Sequence, residues 1–447
     1  MGLDLIHDTY ATGFLINPES HELIVAASLI RQGRELYLHA QWIAGSNSTM
    51  DSWFRISEFN AQPVESGNDA ADKVMPRQLV FVSANGVATL IGCTTGSYTI
   101  NISYMVVAGK INVRHAIPSS LGGVDYTKVH VMTSTVPLLY SWLGRSALEA
   151  RIERDAKGAQ STSLHTLSPE PVTISGHHLT LQPFGRISVV AVTERPAVAD
   201  VQVTTDFPDA AQWSEHQDIH RALADLMTLS CWHPSRPAID SVQHRGDSRT
   251  DLDEHAIPTV RGVVTPEEDL DPTPLPRRGV KHLIRFSEIG EEGIAKWLDL
   301  RQTHSRVIGP TLSPIYIENQ SLESQLIQTA IGVEALGYLL FLEDGDSEDN
   351  ASRRTFRARV ERIMADVNAV YDSGRDLLDW PQRAADTYNG TKHANRDLPG
   401  YADMVNVGNR LSLLLRTWYA LCLGSDPDAL RTRVLDDPLY PERILAD

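Results

Sequence analysis

Cysteine is scarce in this sequence, with three residues in a chain of 447. Cys93, Cys231 and Cys422 are far apart and lack the CxxC spacing of zinc ribbons. Their odd number argues against a disulfide framework and predicts small core side chains. Long apolar runs are also missing, since none reaches the roughly 18 residues that span a bilayer. The N-terminus, MGLDLIHDTYATG, has no signal-peptide pattern. We therefore expect a cytoplasmic protein without membrane contact.

Positive charge is in short supply as well. The 40 Lys and Arg residues face 57 Asp and Glu residues, which gives a net charge of −17. Proteins that coat nucleic acid non-specifically need a positive footprint, so this balance excludes that class. Charged residues at 22% and aromatic residues at 7% are ordinary for globular proteins and exclude wholesale disorder.

The common catalytic motifs are absent. The sequence contains no GxxxxGK[ST], no GxGxxG between a strand and a helix, no HExxH and no GxSxG. His177 and His178 are predicted in an alternating strand, where adjacent side chains point to opposite faces and cannot easily share a metal. We expect no metal and no cofactor.

The N-terminal part has the pattern of β structure. Short apolar runs separated by turn residues fill residues 10 to 205, which is typical of antiparallel strands in a sandwich or barrel-like fold. Asn85-Gly86, between LVFVSA and VATLIG, predicts a hairpin. Apolar spacing predicts a helix over 213 to 232. The charged, proline-rich stretch from 243 to 279 predicts an exposed loop, in which only IPTVRGVV suits a strand.

From residue 280 the apolar period becomes helical. HLIRFSEI at 282 to 289 predicts a last strand, and residues 291 to 304 form an amphipathic helix. Four further helices are predicted over 319 to 343, 352 to 371, about 374 or 379 to 394, and 401 to 424. Their proposed boundary residues are Ser321, Ser352, Asp379, Pro381 and Gly424.

The predicted fold class is α+β, with a β-rich N-terminal antiparallel sandwich or barrel-like domain followed by a C-terminal all-α four-helix bundle. The predicted boundaries give a β-rich domain at 1 to 205 and an α/β connecting region at 206 to 315. The bundle follows at 316 to 430, with a C-terminal tail at 431 to 447.

One cluster, in the third helix of the predicted bundle, suits catalysis. Asn389 and His393 are four residues apart and therefore neighbours on one helix face, as are Tyr388 and Lys392, and Arg396 follows. Histidine transfers protons near neutral pH, and a cation neutralises charge on phosphate. Such a set suits RNA cleavage by the substrate's own 2′-hydroxyl. Favourable interaction of Lys392 and His393 with the helix dipole is the alternative explanation.

The charge around this cluster differs from that of the whole chain. Residues 351 to 396 carry nine Lys and Arg against six Asp and Glu, a net charge of +3. Upstream, Glu334 stands in the apolar run AIGVEALGYLL. It is expected to face the bundle interior or the site, with an exposed or capped carboxylate as the alternative.

Three segments carry a resemblance to a known family, namely VATLIGC, WLGRS (residues 142 to 146) and YNGTKHAN. On these segments the sequence resembles the ApeA family of bacterial antiphage proteins. That family joins an ApeA-type N-terminal domain to a HEPN domain. The resemblance implies that the bundle is a HEPN domain and that the protein is an abortive-infection effector activated by a phage component. It further implies a metal-independent ribonuclease, with tRNA as target, that works as a homodimer in which two histidine-bearing helices face each other.

The family motif is Arg, a polar residue, then His four to six residues after the Arg. Here His393 matches the histidine and Asn389 the polar residue, whereas Tyr388 stands at the Arg position. The resemblance implies catalytic roles for His393, Asn389 and Lys392. The residues expected to contact RNA are Arg396, Tyr388 and Arg383.

Two rival functions remain open at this point. Because Tyr388 replaces the motif Arg, the bundle could instead be an inert dimerisation or RNA-binding module beside a sensing N-terminal domain. The other rival is a β domain that binds carbohydrate or peptide, attached to a helical scaffold.

Overall fold

The computed structural model describes residues 9–18, 20–33, 35–56, 75–119, 123–154, 160–187, 197–250, 256–265, 280–371 and 379–440. The chain divides into two compact units. The first contains Met1–Thr135, Val203–Asp218 and Ala238–Pro274, and the second contains Val136–Gln202, Ile219–Pro237 and Leu275–Asp447. Each unit combines separate stretches of the chain, whereas the division predicted from the sequence is contiguous; that division stays a prediction.

The first unit contains an eight-stranded antiparallel sheet. Its order is β6-β7-β3-β2-β1-β4-β5-β8. The strands are β1 (Thr9–Ile16), β2 (Leu23–Gln32), β3 (Glu35–Ile43), β4 (Gln78–Ser83), β5 (Gly86–Ile91), β6 (Thr94–Asn101), β7 (Val106–Asn112) and β8 (His115–Ser119). A short helix, α1 (Ser48–Trp53), follows β3.

One face of this sheet covers a hydrophobic core, as period-2 alternation predicts. On β2, Val25, Ala27 and Leu29 are buried and alternate with more accessible residues. Leu38 and Phe81 join the same core. The predicted hairpin is confirmed: β4 and β5 pair antiparallel, with Ser83 opposite Gly86.

The first unit also holds β9 (Lys128–Thr135), β15 (Ala238–Thr250) and β16 (Ala256–Gly262), which pair in that order. The predicted loop at 243 to 279 is therefore wrong for residues 243 to 250, which belong to β15. The strand predicted at IPTVRGVV is confirmed by β16. Residues 251 to 255 and 266 to 279 lie outside the described residues. Cross-strand pairing with β9 and β16 outweighs the polar composition of β15.

Strand β14 (Ala197–Gln212) and helix α3 (Trp213–Cys231) carry the chain between the units, and α3 confirms the helix predicted there. The second unit contains the short helix α2 (Leu139–Leu143) and two hairpins. The hairpin strands are β10 (Leu148–Arg154) with β11 (Gln160–Thr166), and β12 (Val172–Ile174) with β13 (Leu179–Ile187).

His177 and His178 do not lie in a strand. Ser175–His177 forms a 3-10 turn between β12 and β13, and His178 has a left-handed backbone with φ +52°. His177 Nε2 lies 3.6 Å from Asp299 Oδ1. The predicted alternating strand is therefore interrupted at this histidine pair.

The rest of the second unit is helical. Its helices are α4 (Phe286–Thr303), α5 (Ser305–Tyr316), α6 (Leu322–Glu343), α7 (Glu348–Arg353), α8 (Phe356–Val367), α9 (Trp380–Lys392), α10 (Tyr401–Cys422) and α11 (Pro427–Leu435). A β-rich N-terminal region followed by a helical region confirms the α+β class. Helices α6, α8, α9 and α10 all contact one another.

Several predicted boundaries are corrected. The strand predicted at 282 to 289 is wrong, because α4 begins at Phe286. The helix predicted at 352 to 371 is two helices, and Thr355, not Ser352, caps the second. The predicted tail from residue 431 begins inside α11.

Other predicted helix boundaries are confirmed. Ser321 accepts a hydrogen bond from the backbone N–H of Ser324 and caps α6. Asp379 is at the N-cap position of α9, and Pro381 lies in its first turn. Gly424, with φ +105°, follows α10. Gly374, the other start considered for α9, lies outside the described residues.

Helix α6 is long and apolar enough to span a membrane, the single such helix in the part of the chain that the structure describes. However, 44% of its most apolar stretch is buried inside the protein. Leu326, Val333, Leu336 and Leu340 are buried on this helix. A core helix has the same length and composition, so α6 gives no support to a membrane span.

Candidate active site at the end of helix α9

Helix α9 ends at the cluster predicted from the sequence, between Lys392 and His393. His393 leaves the helical conformation, with φ −114° and ψ 115°, and its backbone N–H donates to the carbonyl of Asn389 at 3.0 Å. The N–H of Arg396 then donates to the carbonyl of His393 at 3.0 Å, which closes a turn. A Cβ at Gly390 would lie 2.8 Å from the carbonyl oxygen of Asp397, so only glycine lets the returning chain pack there.

Inside the helix, Tyr388 is almost completely buried, at 2% exposure. Its ring packs on Phe356 of α8 with centroids 4.6 Å apart. Its hydroxyl donates to Glu334 Oε2 of α6 at 3.3 Å and accepts from Lys392 Nζ at 3.1 Å. Burial raises the pKa of the Tyr388 hydroxyl, so it stays protonated and acts as a neutral bridge between a cation and a carboxylate.

Glu334 is half-buried, and its carboxylate accepts a hydrogen bond from Tyr388 of α9. Of its two predicted placements, this is the one towards the bundle interior or the site. Its backbone carbonyl accepts from Arg359 Nη1 of α8 at 2.9 Å. Arg359 also donates from Nη2 to the carbonyls of Ala351 and Ser352, at 3.2 and 3.0 Å. These bonds join α6, α7 and α8 beneath the end of α9.

The two residue pairs predicted from helical spacing, Tyr388 with Lys392 and Asn389 with His393, differ in how they interact. Tyr388 and Lys392 do interact, through the hydroxyl contact and through Lys392 Nζ 5.0 Å from the ring centre. Asn389 and His393 are joined through the backbone, and the exposed imidazole makes no side-chain hydrogen bond with the residues described around it. The imidazole is therefore open to a substrate, and the amide of Asn389 is half-buried beside it in the chain.

Most cations of the basic segment are already paired. Carboxylates lie within ion-pair distance of Arg353, Arg354, Arg357, Arg362 and Arg383. The partner of Arg383 is Asp403 on α10. Arg375 lies outside the described residues. Lys392 and Arg396 are exposed and have no carboxylate partner within ion-pair distance among residues 280–371 and 379–440.

Two cations that form no ion pair among the residues described around them thus lie close to the exposed imidazole in the sequence. The pKa of Lys392 is raised, first by its hydrogen bond to Tyr388, which keeps the ammonium charged. An imidazole transfers protons near neutral pH, and the cations can neutralise a phosphate. This arrangement suits acid–base chemistry on an anionic substrate.

The described residues contain no group of three or more His, Cys, Asp or Glu placed to hold a metal ion. All three cysteines are free, with Cys93 buried and the other two half-buried. Burial raises the pKa of the Cys93 thiol to about 12 and that of Cys231 to about 11. These thiols stay protonated at neutral pH and are poor nucleophiles.

Sequence reasoning missed Arg359 and Phe356, which position Glu334 and Tyr388. Both lie on α8, more than 20 residues before α9 in the chain. The sequence around Arg359 predicts an ordinary surface cation. No local pattern indicates that its guanidinium donates hydrogen bonds to three backbone carbonyls. Only the packing of α6, α8 and α9 brings these residues together.

Comparison with known proteins identifies the family. The family model of ApeA N-terminal domain 1 matches residues 56–297, more than half of the chain. The matched residues run from the end of the turn after α1 into helix α4 and include the WLGRS segment. No significant match is found among the curated proteins or the solved structures. The chain therefore belongs to the ApeA N-terminal domain family, which indicates an antiphage defence protein.

Proposed function

We propose that the protein is an abortive-infection effector whose helical region is a HEPN-type endoribonuclease. The observation that carries the proposal is the exposed imidazole of His393 at the end of α9, with the cations Lys392 and Arg396 near it in the chain. The Lys392–Tyr388–Glu334 hydrogen bonds hold one of these cations at the helix end.

In the proposed reaction the ribose 2′-hydroxyl oxygen attacks the adjacent phosphorus and gives its proton to His393. The bond from phosphorus to the 5′-oxygen breaks, and that oxygen takes a proton. The products are a 2′,3′-cyclic phosphate and a 5′-hydroxyl end. Lys392 and Arg396 neutralise charge on the phosphate, and Asn389 orients the imidazole or the substrate.

A homodimer supplies the second proton-transfer group. Leu398 and Tyr401, which follow the His393 turn, are 63% and 68% exposed. In the proposal these two side chains are part of the surface on which the second copy packs. A second copy packed there brings two His393 turns close to each other, so that one imidazole acts as base and the other as acid.

The target proposed from the family resemblance is tRNA, and the proposed activator is a phage component sensed by the N-terminal region. Both require a cytoplasmic protein. The net charge of −17 fits an enzyme that grips RNA at a focused site and does not coat it.

Cleavage is tested with the full-length protein, total bacterial RNA and excess EDTA, followed by mapping of the cut ends. We expect fragments with 2′,3′-cyclic phosphate ends from the unmodified protein and none from His393→Ala. His165→Ala, at another exposed histidine of the same unit, serves as the matched control and should cleave normally. Unaltered cleavage by His393→Ala would show that the site is elsewhere.

The dimer is tested by light scattering of Leu398→Asp/Tyr401→Asp, which should be monomeric and should not cut RNA. The control is Leu435→Asp, which places the same charge at a 49% exposed leucine on α11. If the double variant remains a dimer, the dimer interface is not at this surface.

The second candidate is a catalytically inert dimerisation or RNA-binding module. Tyr388, at the motif Arg position, supports it, because the buried tyrosine hydroxyl is engaged by Glu334 and Lys392 and cannot grip a phosphate. This candidate predicts salt-sensitive RNA binding without cut ends, lost in Lys392→Gln/Arg396→Gln.

A further inference from the structure

A second polar cluster, far along the chain from α9, lies at helix α2, where the WLGRS segment starts. Trp142 of this segment is buried and donates from Nε1 to the carbonyl of Ile284 at 2.8 Å. Tyr140 of the same helix accepts from the backbone N–H of Ala147 at 3.0 Å. The first bond fixes α2 against Ile284, and the second fixes α2 against the residues that follow it in the chain.

Residues 282 to 284 also form hydrogen bonds with helix α3. The carbonyl of Ile284 also accepts from Ser230 Oγ of α3 at 2.9 Å, and the N–H of Leu283 donates to the carbonyl of Ser230 at 2.7 Å. Ser230 is completely buried. Thus α2, the end of α3 and residues 282 to 284 of the second unit meet at one carbonyl oxygen.

His282 lies between two serine hydroxyls at this junction. Its Nε2 is 3.1 Å from Ser141 Oγ, and its Nδ1 is 3.2 Å from Ser230 Oγ. Since the Ser230 hydroxyl proton is directed to Ile284, the Ser230 oxygen accepts at Nδ1. The proton of the neutral imidazole is therefore on Nδ1, and the Nε2 lone pair faces Ser141.

Ser141 is exposed, whereas His282 is half-buried behind it. The Ser141 hydroxyl also lies 2.8 Å from the carbonyl oxygen of Leu138, so its single proton is shared between that oxygen and Nε2 of His282. Leu138 has a left-handed backbone with φ +71° at the start of α2. Such a conformation is costly for a residue other than glycine, and strain of this kind clusters at functional sites.

We propose that Ser141 is a nucleophile activated by His282, positioned by Ser230, and that it reacts with carboxylic esters that carry a negative charge. The arrangement of nucleophile, base and orienting group is the general geometry of nucleophilic catalysis. The site is separate from His393, and it does not depend on the proposed ribonuclease activity.

In the proposed step Ser141 Oγ forms a bond to the acyl carbon and its proton passes to His282 Nε2. The bond from the acyl carbon to the alcohol oxygen breaks, and the proton is delivered from Nε2 to that oxygen. Water then gives a proton to His282 Nε2 and attacks the acyl carbon of the acyl-serine. The bond from that carbon to Ser141 Oγ breaks, Oγ takes the proton back, and the carboxylic acid is released.

The position of Arg285 favours an anionic ester. Its side chain is exposed at the start of α4, three residues along the chain from His282, where it can attract a negatively charged substrate. Burial and this cation lower the pKa of His282 to about 4, so the imidazole is a free base at neutral pH. A negative charge on the substrate offsets the cation and raises the basicity of His282 when the ester is bound.

The nucleophile is tested with the full-length protein, a fluorophosphonate probe and mass spectrometry of the labelled peptide. Labelling forms an Oγ–phosphorus bond, releases fluoride and passes the serine proton to His282. We expect label on Ser141, none on Ser141→Ala, and labelling at least tenfold slower in His282→Gln. Ser146→Ala is the matched control, because Ser146 is an exposed serine of the same segment whose hydroxyl donates to the carbonyl of Leu148.

The substrate class is tested by hydrolysis of p-nitrophenyl 4-sulfobenzoate against p-nitrophenyl benzoate, each corrected for its rate without protein. We expect several-fold faster turnover of the anionic ester, and loss of that preference in Arg285→Gln. Absence of label on Ser141, or equal labelling of His282→Gln, would overturn the nucleophile. Equal turnover of both esters would overturn the anionic substrate class.

Discussion

The ammonium of Lys392 lies 3.1 Å from the hydroxyl of Tyr388 and 5.0 Å from the centre of its ring. Through that hydroxyl it is linked to Glu334 on another helix. The residue at the Arg position of the proposed HEPN motif is thus the one that anchors a cation at the end of α9. Tyr388 is a neutral group that positions Lys392.

Removal of the Tyr388 hydroxyl should therefore weaken the bundle slightly. We expect Tyr388→Phe to lower the free energy of unfolding by about 1 kcal/mol, the net value of a typical hydrogen bond. Tyr388→Arg should cost about 2 kcal/mol or more, because it buries a charge and loses the ring contact with Phe356. Urea denaturation measures both, and a Tyr388→Arg variant as stable as Tyr388→Phe would contradict the buried placement.

Close packing of α6 on α8 predicts a sharp effect at Gly337. A methyl group there would overlap the Cβ of Arg359 and lie 2.9 Å from its Cγ. Gly337→Ala should destabilise the protein by about 1 to 3 kcal/mol, as overpacking does. Gly408→Ala on α10 is the control, since its nearest atom would be 3.9 Å away. That change should be neutral or stabilise by up to about 1 kcal/mol through helix propensity, and thermal melts compare the two.

The buried ion pair of Arg416 with Asp437 should be sensitive to truncation. Arg416, 1% exposed, lies 3.0 Å from Asp437 and donates to the carbonyls of Leu229 and Ser230 at 2.6 and 3.1 Å. Arg416→Met should cost about 3 to 5 kcal/mol, because Asp437 keeps a buried unpaired charge. The exposed pair of Arg353 with Asp349 supplies the control, and Arg353→Met should cost less than about 1 kcal/mol. Similar losses for both variants, in urea titrations, would contradict this ranking.

Stability should fall in mild acid because of His282. Its pKa is lowered to about 4 in the folded protein, from 6.5 for the ordinary group. Between these values the unfolded chain binds a proton that the folded chain does not, so stability decreases as pH falls from 6.5 to 4. The contribution is on the order of 3 kcal/mol. His282→Gln should have a flatter dependence of unfolding free energy on pH, whatever its stability at pH 7, and an unchanged slope would contradict the assignment.

Local patterns determined much of the fold. Alternating apolar residues located β2 and the β4–β5 hairpin, and helical spacing located α3, α6 and α10. Pattern reasoning was wrong where pairing overrides composition, as in β15, whose polar residues join a sheet through β9 and β16. It also missed the break between α7 and α8, where Thr355 caps a new helix inside one continuous amphipathic pattern.

The sequence by itself placed His393, Asn389 and Lys392 on one short segment, since residues four apart in a helix are neighbours. Tertiary structure alone decided that Tyr388 is buried against Phe356 and Glu334, and that most cations of the basic segment are neutralised. It also brought Ser141, Ser230 and His282 together across more than 140 residues of chain. Propensity and period act over a few residues, whereas these contacts depend on which helices pack together, and packing is decided by the whole fold.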